Sequence, residues 1–334
     1  MLRLTVFLLL LPFASGDFIF RYTNAYTYPL SSPYLNYSVG KDPESVRVQL
    51  DLNRPYSLVF NERCASRSIC DAYKHFYAYN EKRTGGKVTN RQFNDAYYDI
   101  ANLQGKFYED TLKLGNLALP FEIGVVDEGN KNAGFDWDGV LGLGIGEDDS
   151  KSSVVKHIMR RLSVQEILWQ EGLVAITKPG KDRFKPSNGT VAFGRYTERK
   201  CGAFKWYNTK DNKHWHIMAD VVIDSTTYSN KTIAFFPGQN SRLPSAIKAK
   251  HIPSYREWDD ADFPDISFVK NGDTYTFTRE TYAHFVNRHF MPLLDNSRGD
   301  YDFGFGSSLL QDYCLKIRAD SGFNRLQIGL AKQL

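Results

Sequence analysis

The stretch FDWDGVLGLGIG, Phe135–Gly146, decides between the two large fold classes open to this chain. Its run Gly142-Leu143-Gly144-Ile145-Gly146 superficially offers a phosphate-binding loop. A dinucleotide loop, however, needs the order GxGxxG where a strand enters a helix within a βαβ unit. Here the order is GxGxG, and no crossover unit surrounds it. Upstream, Ser45–Asp51 alternates apolar and polar residues, and Leu58–Phe60 is a short apolar run after Pro55. Phe107–Leu114 and Leu117–Val126 read as strands joined by the hairpin signal Gly115-Asn116. Downstream, short strands are expected at Thr190–Gly194, Phe204–Tyr207, His216–Ile223, Thr232–Phe236, Ile266–Phe268 and Asp273–Phe277. Helical patterning is confined to Ser152–Trp169, Ser245–His251 and Arg279–Arg288. With strands throughout and no βαβ rhythm, the chain reads as all-β dominated with a few short helices.

Composition narrows the function classes. The chain has 334 residues, of which 42% are hydrophobic and 14% aromatic, which excludes a disordered or collagen-like protein and favours β packing. A chain this long commonly divides into two cores. Its 42 Lys+Arg and 38 Asp+Glu are interspersed, so the sequence supports no nucleic-acid partner. Met1–Gly16, MLRLTVFLLLLPFASG, places one Arg before an apolar run that ends in small residues. This is the pattern of a secretory signal peptide, too short to span a bilayer. No later stretch approaches the length of a membrane span, so a secreted or secretory-lumen protein is expected. The sequons at Asn36, Asn188 and Asn230 agree with that route. In an oxidising compartment the four cysteines pair as Cys64 with Cys70, a short local loop, and Cys201 with Cys314, a long-range staple. The alternative for the distant two is a pair of free buried thiols.

Several segments, in one order, resemble the bilobal pepsin-like aspartic peptidases. Phe135–Gly144 resembles the family's FDGILGL segment, and Gly189–Gly194 with Trp206 and Trp215 resembles the strand pair opening its second lobe. Pro264–Phe268 with Asn271-Gly272, Phe303–Tyr313 and Ile328–Ala331 resemble three later family segments. The likeness runs from about Pro33 to Leu334. It implies a bilobal acid-protease fold with an N-terminal β-lobe at 33–195 and a C-terminal β-lobe at 196–334, following the leader at 1–16 and a short segment at 17–32. It also implies a peptide or protein ligand in the interlobe cleft, a monomeric chain, and no cofactor.

The family's reaction needs two carboxylates, one per lobe, sharing a proton and a water. Each sits in an Asp-Thr-Gly turn. Asp51 falls at the first position, but Leu52-Asn53 replace Thr-Gly and Arg54-Pro55 follow. If Arg54 meets Asp51, it favours a permanently ionised carboxylate. In the second lobe the window Ala234–Phe236 contains no acid, and Phe236-Pro237-Gly238 stands where the motif belongs. A rival register uses Asp224-Ser225-Thr226, but it leaves 20 residues before Ser245 and loses the connecting strand. The resemblance places Tyr98 at the flap, the hairpin that closes over substrate, though the neighbouring glycines are missing. The 16 residues Asp17–Ser32 are also too few for the family's inhibitory prosegment.

Elsewhere, His214 and His216 share a strand face, but the sequence offers no third ligand, so no metal is expected. Three functions follow for comparison: a secreted, non-catalytic binding protein; an active or residually active aspartic endopeptidase using Asp51; and a structural or storage glycoprotein. The first fits the residues best.

Overall fold

Period-two burial builds the strands. In Ile217–Ile223 the residues Ile217, Ala219, Val221 and Ile223 are buried and alternate with half-buried ones, as a one-sided sheet strand requires. In Ser45–Asp51 burial instead becomes continuous towards the C-terminal end, where the strand enters the centre of the molecule. The structure, a computed structural model, describes residues 18–27, 30–64, 77–97, 101–129, 138–146, 152–171, 187–194, 201–252, 256–257, 263–286, 289–292 and 294–334. The leader at 1–16, Tyr98, Cys70 and Phe135–Trp137 lie outside the described residues.

The first half contains β1 (Phe18–Thr27), β2 (Leu30–Val39), β3 (Ser45–Asp51), β4 (Ser57–Phe60) and helix α1 (Glu81–Thr84). There follow β5 (Lys87–Tyr97), β6 (Ala101–Leu114), β7 (Leu117–Gly129), β8 (Gly139–Gly142), α2 (Val154–Leu162), β9 (Glu166–Gln170) and β10 (Ser187–Phe193). The second half opens with β11 (Lys205–Asn208), β12 (Ile217–Ile223), β13 (Thr226–Phe236), β14 (Ser241–Leu243) and α3 (Ser245–His251). It continues through β15 (Arg256–Glu257), β16 (Ile266–Lys270), β17 (Asp273–Phe277), α4 (Arg279–Tyr282), β18 (Ala283–Val286) and β19 (His289–Pro292). It closes with β20 (Leu294–Asn296), β21 (Phe303–Gly306), α5 (Ser307–Leu310), β22 (Tyr313–Ala319) and β23 (Leu326–Lys332).

Two large sheets carry the two lobes. One has 13 strands in the order β11-β23-β22-β9-β10-β1-β2-β3-β8-β4-β7-β6-β5, and the other has seven, β17-β16-β12-β13-β21-β14-β20. The larger sheet joins the halves, because β22 from the C-terminal end pairs antiparallel with β9, Leu315 opposite Trp169. The segment 17–32 contributes β1, which pairs with β10 and feeds β2.

Within each lobe one arrangement recurs. β8 lies between β3, its parallel partner, and β4, its antiparallel one. β21 lies likewise between β13, parallel, and β14, antiparallel. The same glycine position closes each unit. A Cβ on Gly142 would meet Tyr56 O at 2.3 Å, and one on Gly306 would meet Gln239 O at 2.1 Å, so the turn backbones pass where side chains would stand.

Two helical expectations are shortened. The pattern at Ser152–Trp169 yields a helix only over Val154–Leu162, because Ser163 turns left-handed (φ 54°) and β9 begins at Glu166. Likewise Arg279–Tyr282 is helical, but Ala283–Val286 is a strand paired with β19. In both cases sheet pairing outweighs local periodicity.

Candidate functional site

The two recurring units meet at the centre of the molecule through their turns. In the first, Asp51 ends β3 opposite Gly142, and Gly142 N donates to Ser57 Oγ at 3.2 Å. In the second, Phe236 ends β13 opposite Gly306, and Gly306 N donates to Ser241 Oγ at 2.9 Å. Asp51 and Phe236 thus hold the same register position in the two lobes. Asp224 lies elsewhere, in the exposed turn between β12 and β13, with Ser225 beside it, both at positive φ.

Asp51 is fully buried, and its Oδ1 accepts the Asn53 backbone N–H at 2.9 Å, which shapes the turn in place of the family's Thr-Gly. The turns are tied by two amides. Asn53 Nδ2 donates to Phe235 O at 2.8 Å, and Gln239 Nε2 donates to Leu50 O at 3.3 Å. Each lobe therefore holds the backbone next to the other lobe's key residue. Asn53 was read as a replacement for glycine; its role as a cross-lobe donor, and that of Gln239, were not.

Phe236 faces away from the main core. Strand alternation sends Ile233 and Phe235 into that core and gathers Ala234, Phe236 and Tyr301 in a separate cluster. The Arg242 guanidinium lies 4.0 Å from the centroid of the Phe236 ring, and the Tyr301 ring packs against it at 5.1 Å. Arg242 is held in turn by Tyr301 OH at 3.0 Å and Gln239 Oε1 at 2.8 Å. A cation, an aryl ring and a phenol occupy the second-lobe side, opposite the turn that carries Asp51.

A buried carboxylate that sequence reading missed touches the same turn. Glu171, just beyond β9, is 2% exposed and accepts the Gly238 backbone N–H. Burial pushes its carboxyl up to about 7, against the Gly238 N–H and the nearby Ser307 hydroxyl, which favour the charged form. The stretch EILWQE has no alternation that would send Glu171 inward, and no local pattern tells which tertiary partner it meets.

Arg54 is engaged with the hairpin above the first turn. Its guanidinium forms an ion pair with Asp95 on β5, and Tyr56 OH donates to the same carboxylate. The flap residue proposed from sequence, Tyr98, lies outside the described residues, but Asp95 shows how this hairpin is fastened to the turn. The long-range cysteines are bonded, Cys201 to Cys314, with 6.0 Å between Cα atoms. Cys64 is also in a disulfide. Asn36, Asn188 and Asn230 are all exposed. His214 and His216 come together with Asp300, a third potential ligand that sequence spacing did not supply. No helix among the described residues is long and apolar enough to cross a membrane.

The family model for eukaryotic aspartyl protease matches residues 34–239, well over half the chain. Plasmepsin VIII of Plasmodium berghei is 21% identical over 340 aligned positions, covering 89% of this chain and 86% of that protein. Plasmepsin IV of Plasmodium falciparum is 23% identical over 276, covering 70% of this chain and 56% of that protein, so the chain spans little more than half of plasmepsin IV. Pregnancy-associated glycoprotein 2 of Bos taurus is 26% identical over 206, covering 57% of this chain and 49% of that protein. An all-β, two-lobed architecture and a family match that runs from before the first turn into the second have one explanation: the chain belongs to the eukaryotic aspartyl protease family.

Proposed function

We propose that this chain is a secreted, glycosylated and catalytically inactive member of the family that holds a peptide or protein segment in its interlobe cleft. The observation that carries the reading is Phe236 at the register position of Asp51, capped by Arg242 and Tyr301. One carboxylate cannot serve as both base and acid, and a ring there displaces the water that would be activated. Exposed sequon asparagines support glycosylation, and glycoprotein is part of one relative's name. The reading takes residues 1–16 as a removed leader, 33–195 and 196–334 as the lobes, Tyr98 as a flap residue, Cys64–Cys70 as a local disulfide, and the chain as a monomer.

An active endopeptidase is the second reading, and Glu171 is the observation that favours it. It is a buried acid with an elevated pKa at the second-lobe turn. Incubating the glycosylated chain with a denatured protein at acidic pH separates the two. The expected result is no pepstatin-sensitive cleavage, together with saturable capture of peptides from a random display library by the immobilised chain. Cleavage abolished by Asp51→Asn or Glu171→Gln overturns the proposal.

A further inference from the structure

The segment joining β11 to β12 is pinned near its C-terminal end. Trp215 is fully buried, and its indole N–H donates to Leu143 O of the first lobe at 3.1 Å. The imidazoles of His214 and His216, on either side of Trp215, stack with centroids 5.1 Å apart and planes 15° apart. Asp300, in the loop before β21, brings Oδ2 to 3.4 Å from His214 Nε2. One potential ligand atom from each of His214, His216 and Asp300 lies within 4.8 Å of the other two.

Two further observations point to a cation. His216 is 2% exposed, and its Nε2 is buried with no hydrogen-bond partner, a costly state for an imidazole nitrogen unless something binds it. His214 Nδ1 lies 3.2 Å from both carboxylate oxygens of Asp211, so Nδ1–H donates and the ring orientation is set. In the neutral ring this leaves the Nε2 lone pair facing a carboxylate oxygen, a contact that needs a proton or a metal ion between the two atoms. A carboxylate behind an imidazole is also the support that metal-binding histidines ordinarily have.

We propose that His214, His216 and Asp300 bind one divalent transition-metal ion, with Asp211 as the residue that positions His214. Two imidazoles and one carboxylate match zinc, and the nitrogen donors disfavour calcium and magnesium. Ligand atoms about 2.1 Å from a tetrahedral ion stand roughly 3.4 Å apart, so the widest separation closes by up to about 1.4 Å on binding. Asp300 can supply the movement, because its side chain is 62% exposed and it follows Gly299 at φ +99°. Water completes the coordination. Lys210, whose Nζ bonds Thr232 Oγ1 at 3.2 Å, opposes the cation and lowers its affinity.

The ion would join the loop before β12 to the loop before β21, next to Tyr301. Tyr301 meets the His216 ring at 6.1 Å and Phe236 at 5.1 Å. The metal is therefore a staple beside the second-lobe turn, independent of whether that turn catalyses anything.

The test titrates the full chain with Zn²⁺ by calorimetry and with Co²⁺ by visible absorption. One equivalent should bind with a d–d spectrum of a nitrogen-oxygen site, and the thermal midpoint should rise with metal concentration. Asp300→Ala and His214→Ala should each weaken binding at least about tenfold, and Asp211→Ala by about 10–100-fold. Removing buried His216 risks misfolding, so the exposed Asp300 is the decisive variant, with intrinsic tryptophan fluorescence reporting the fold. The proposal is overturned if the folded wild type binds no saturable equivalent, or if the His214→Ala/Asp300→Ala double variant binds zinc as the wild type does.

Discussion

Phe236 ends β13 at the register position that Asp51 holds at the end of β3, and it is bound there as a packing residue. Its ring is fully buried between the Arg242 guanidinium and Tyr301, so truncation leaves a cavity and strips a cation of its aromatic face. Phe236→Ala should therefore cost about 3–5 kcal/mol of unfolding free energy in urea titration. A loss within about 0.5 kcal/mol, as at an exposed site, would show that the ring is not a packing element. Glu171 predicts a pH effect of definite sign. Its folded pKa of about 7 lies above the unfolded value near 4.5, so the native state binds the extra proton between these limits. The stability it contributes is complete below about pH 4.5 and is lost as pH rises through 7, of order 3 kcal/mol in all. Glu171→Gln keeps an acceptor for Gly238 N–H without the ionisation. The stability of the variant relative to wild type should therefore climb from pH 4.5 to 7.5, and a constant difference between the two proteins would refute the assignment. Phe236 was legible in the sequence because strand and helix patterns bracket its position. Arg242 over its ring and Glu171 at its turn were not, since both contacts depend on how separate segments fold back upon one another.

At the scale of elements, the parallel pairs β3–β8 and β13–β21 place the two turns, and a hairpin closes over one of them. That hairpin is fastened by Asp95, which pairs with Arg54 and accepts from Tyr56. The Arg54 and Asp95 side chains are 8% and 17% exposed, so the pair is largely desolvated. Asp95→Asn leaves a guanidinium under the strand with a weaker partner, at a cost of roughly 2–3 kcal/mol after allowing for the residual exposure. Amide hydrogen exchange along β5 and the facing part of β6 should accelerate while β12 and β13 stay protected. Uniform acceleration would mean that the contact supports the whole fold rather than the hairpin. Sequence reading anticipated β3, β17 and α3 with their observed limits, because alternation or a helical period coincides there with clear breaks. It overextended the helices starting at Val154 and Arg279, where a following strand finds partners that no local pattern reveals. Adjacency suggested only Asp51 as a neighbour for Arg54, and its ion pair with Asp95, 41 residues along the chain, left no local signal.

For the whole molecule, the lobes are held by more than the turn amides of Asn53 and Gln239. The 13-stranded sheet runs through both, with β22 and β23 from the C-terminal end set beside β9. Cys314 lies on β22 and is fully buried, and Cys201 stands just ahead of β11, in an isolated β-bridge with Gln333 just past β23. Their disulfide closes 113 residues, which include the whole seven-stranded sheet of the second lobe. A loop of that size restricts the unfolded chain by about 4–5 kcal/mol in the chain-entropy description. The Cys201→Ser/Cys314→Ser variant should lose about 3–5 kcal/mol, with the buried hydroxyl at 314 adding to the entropic loss. The second lobe carries the closed loop, so its transition should move to lower temperature than that of the first lobe and split a single calorimetric peak in two. One undivided transition at lower temperature would instead show that the shared sheet and the paired amides make the lobes unfold as a unit.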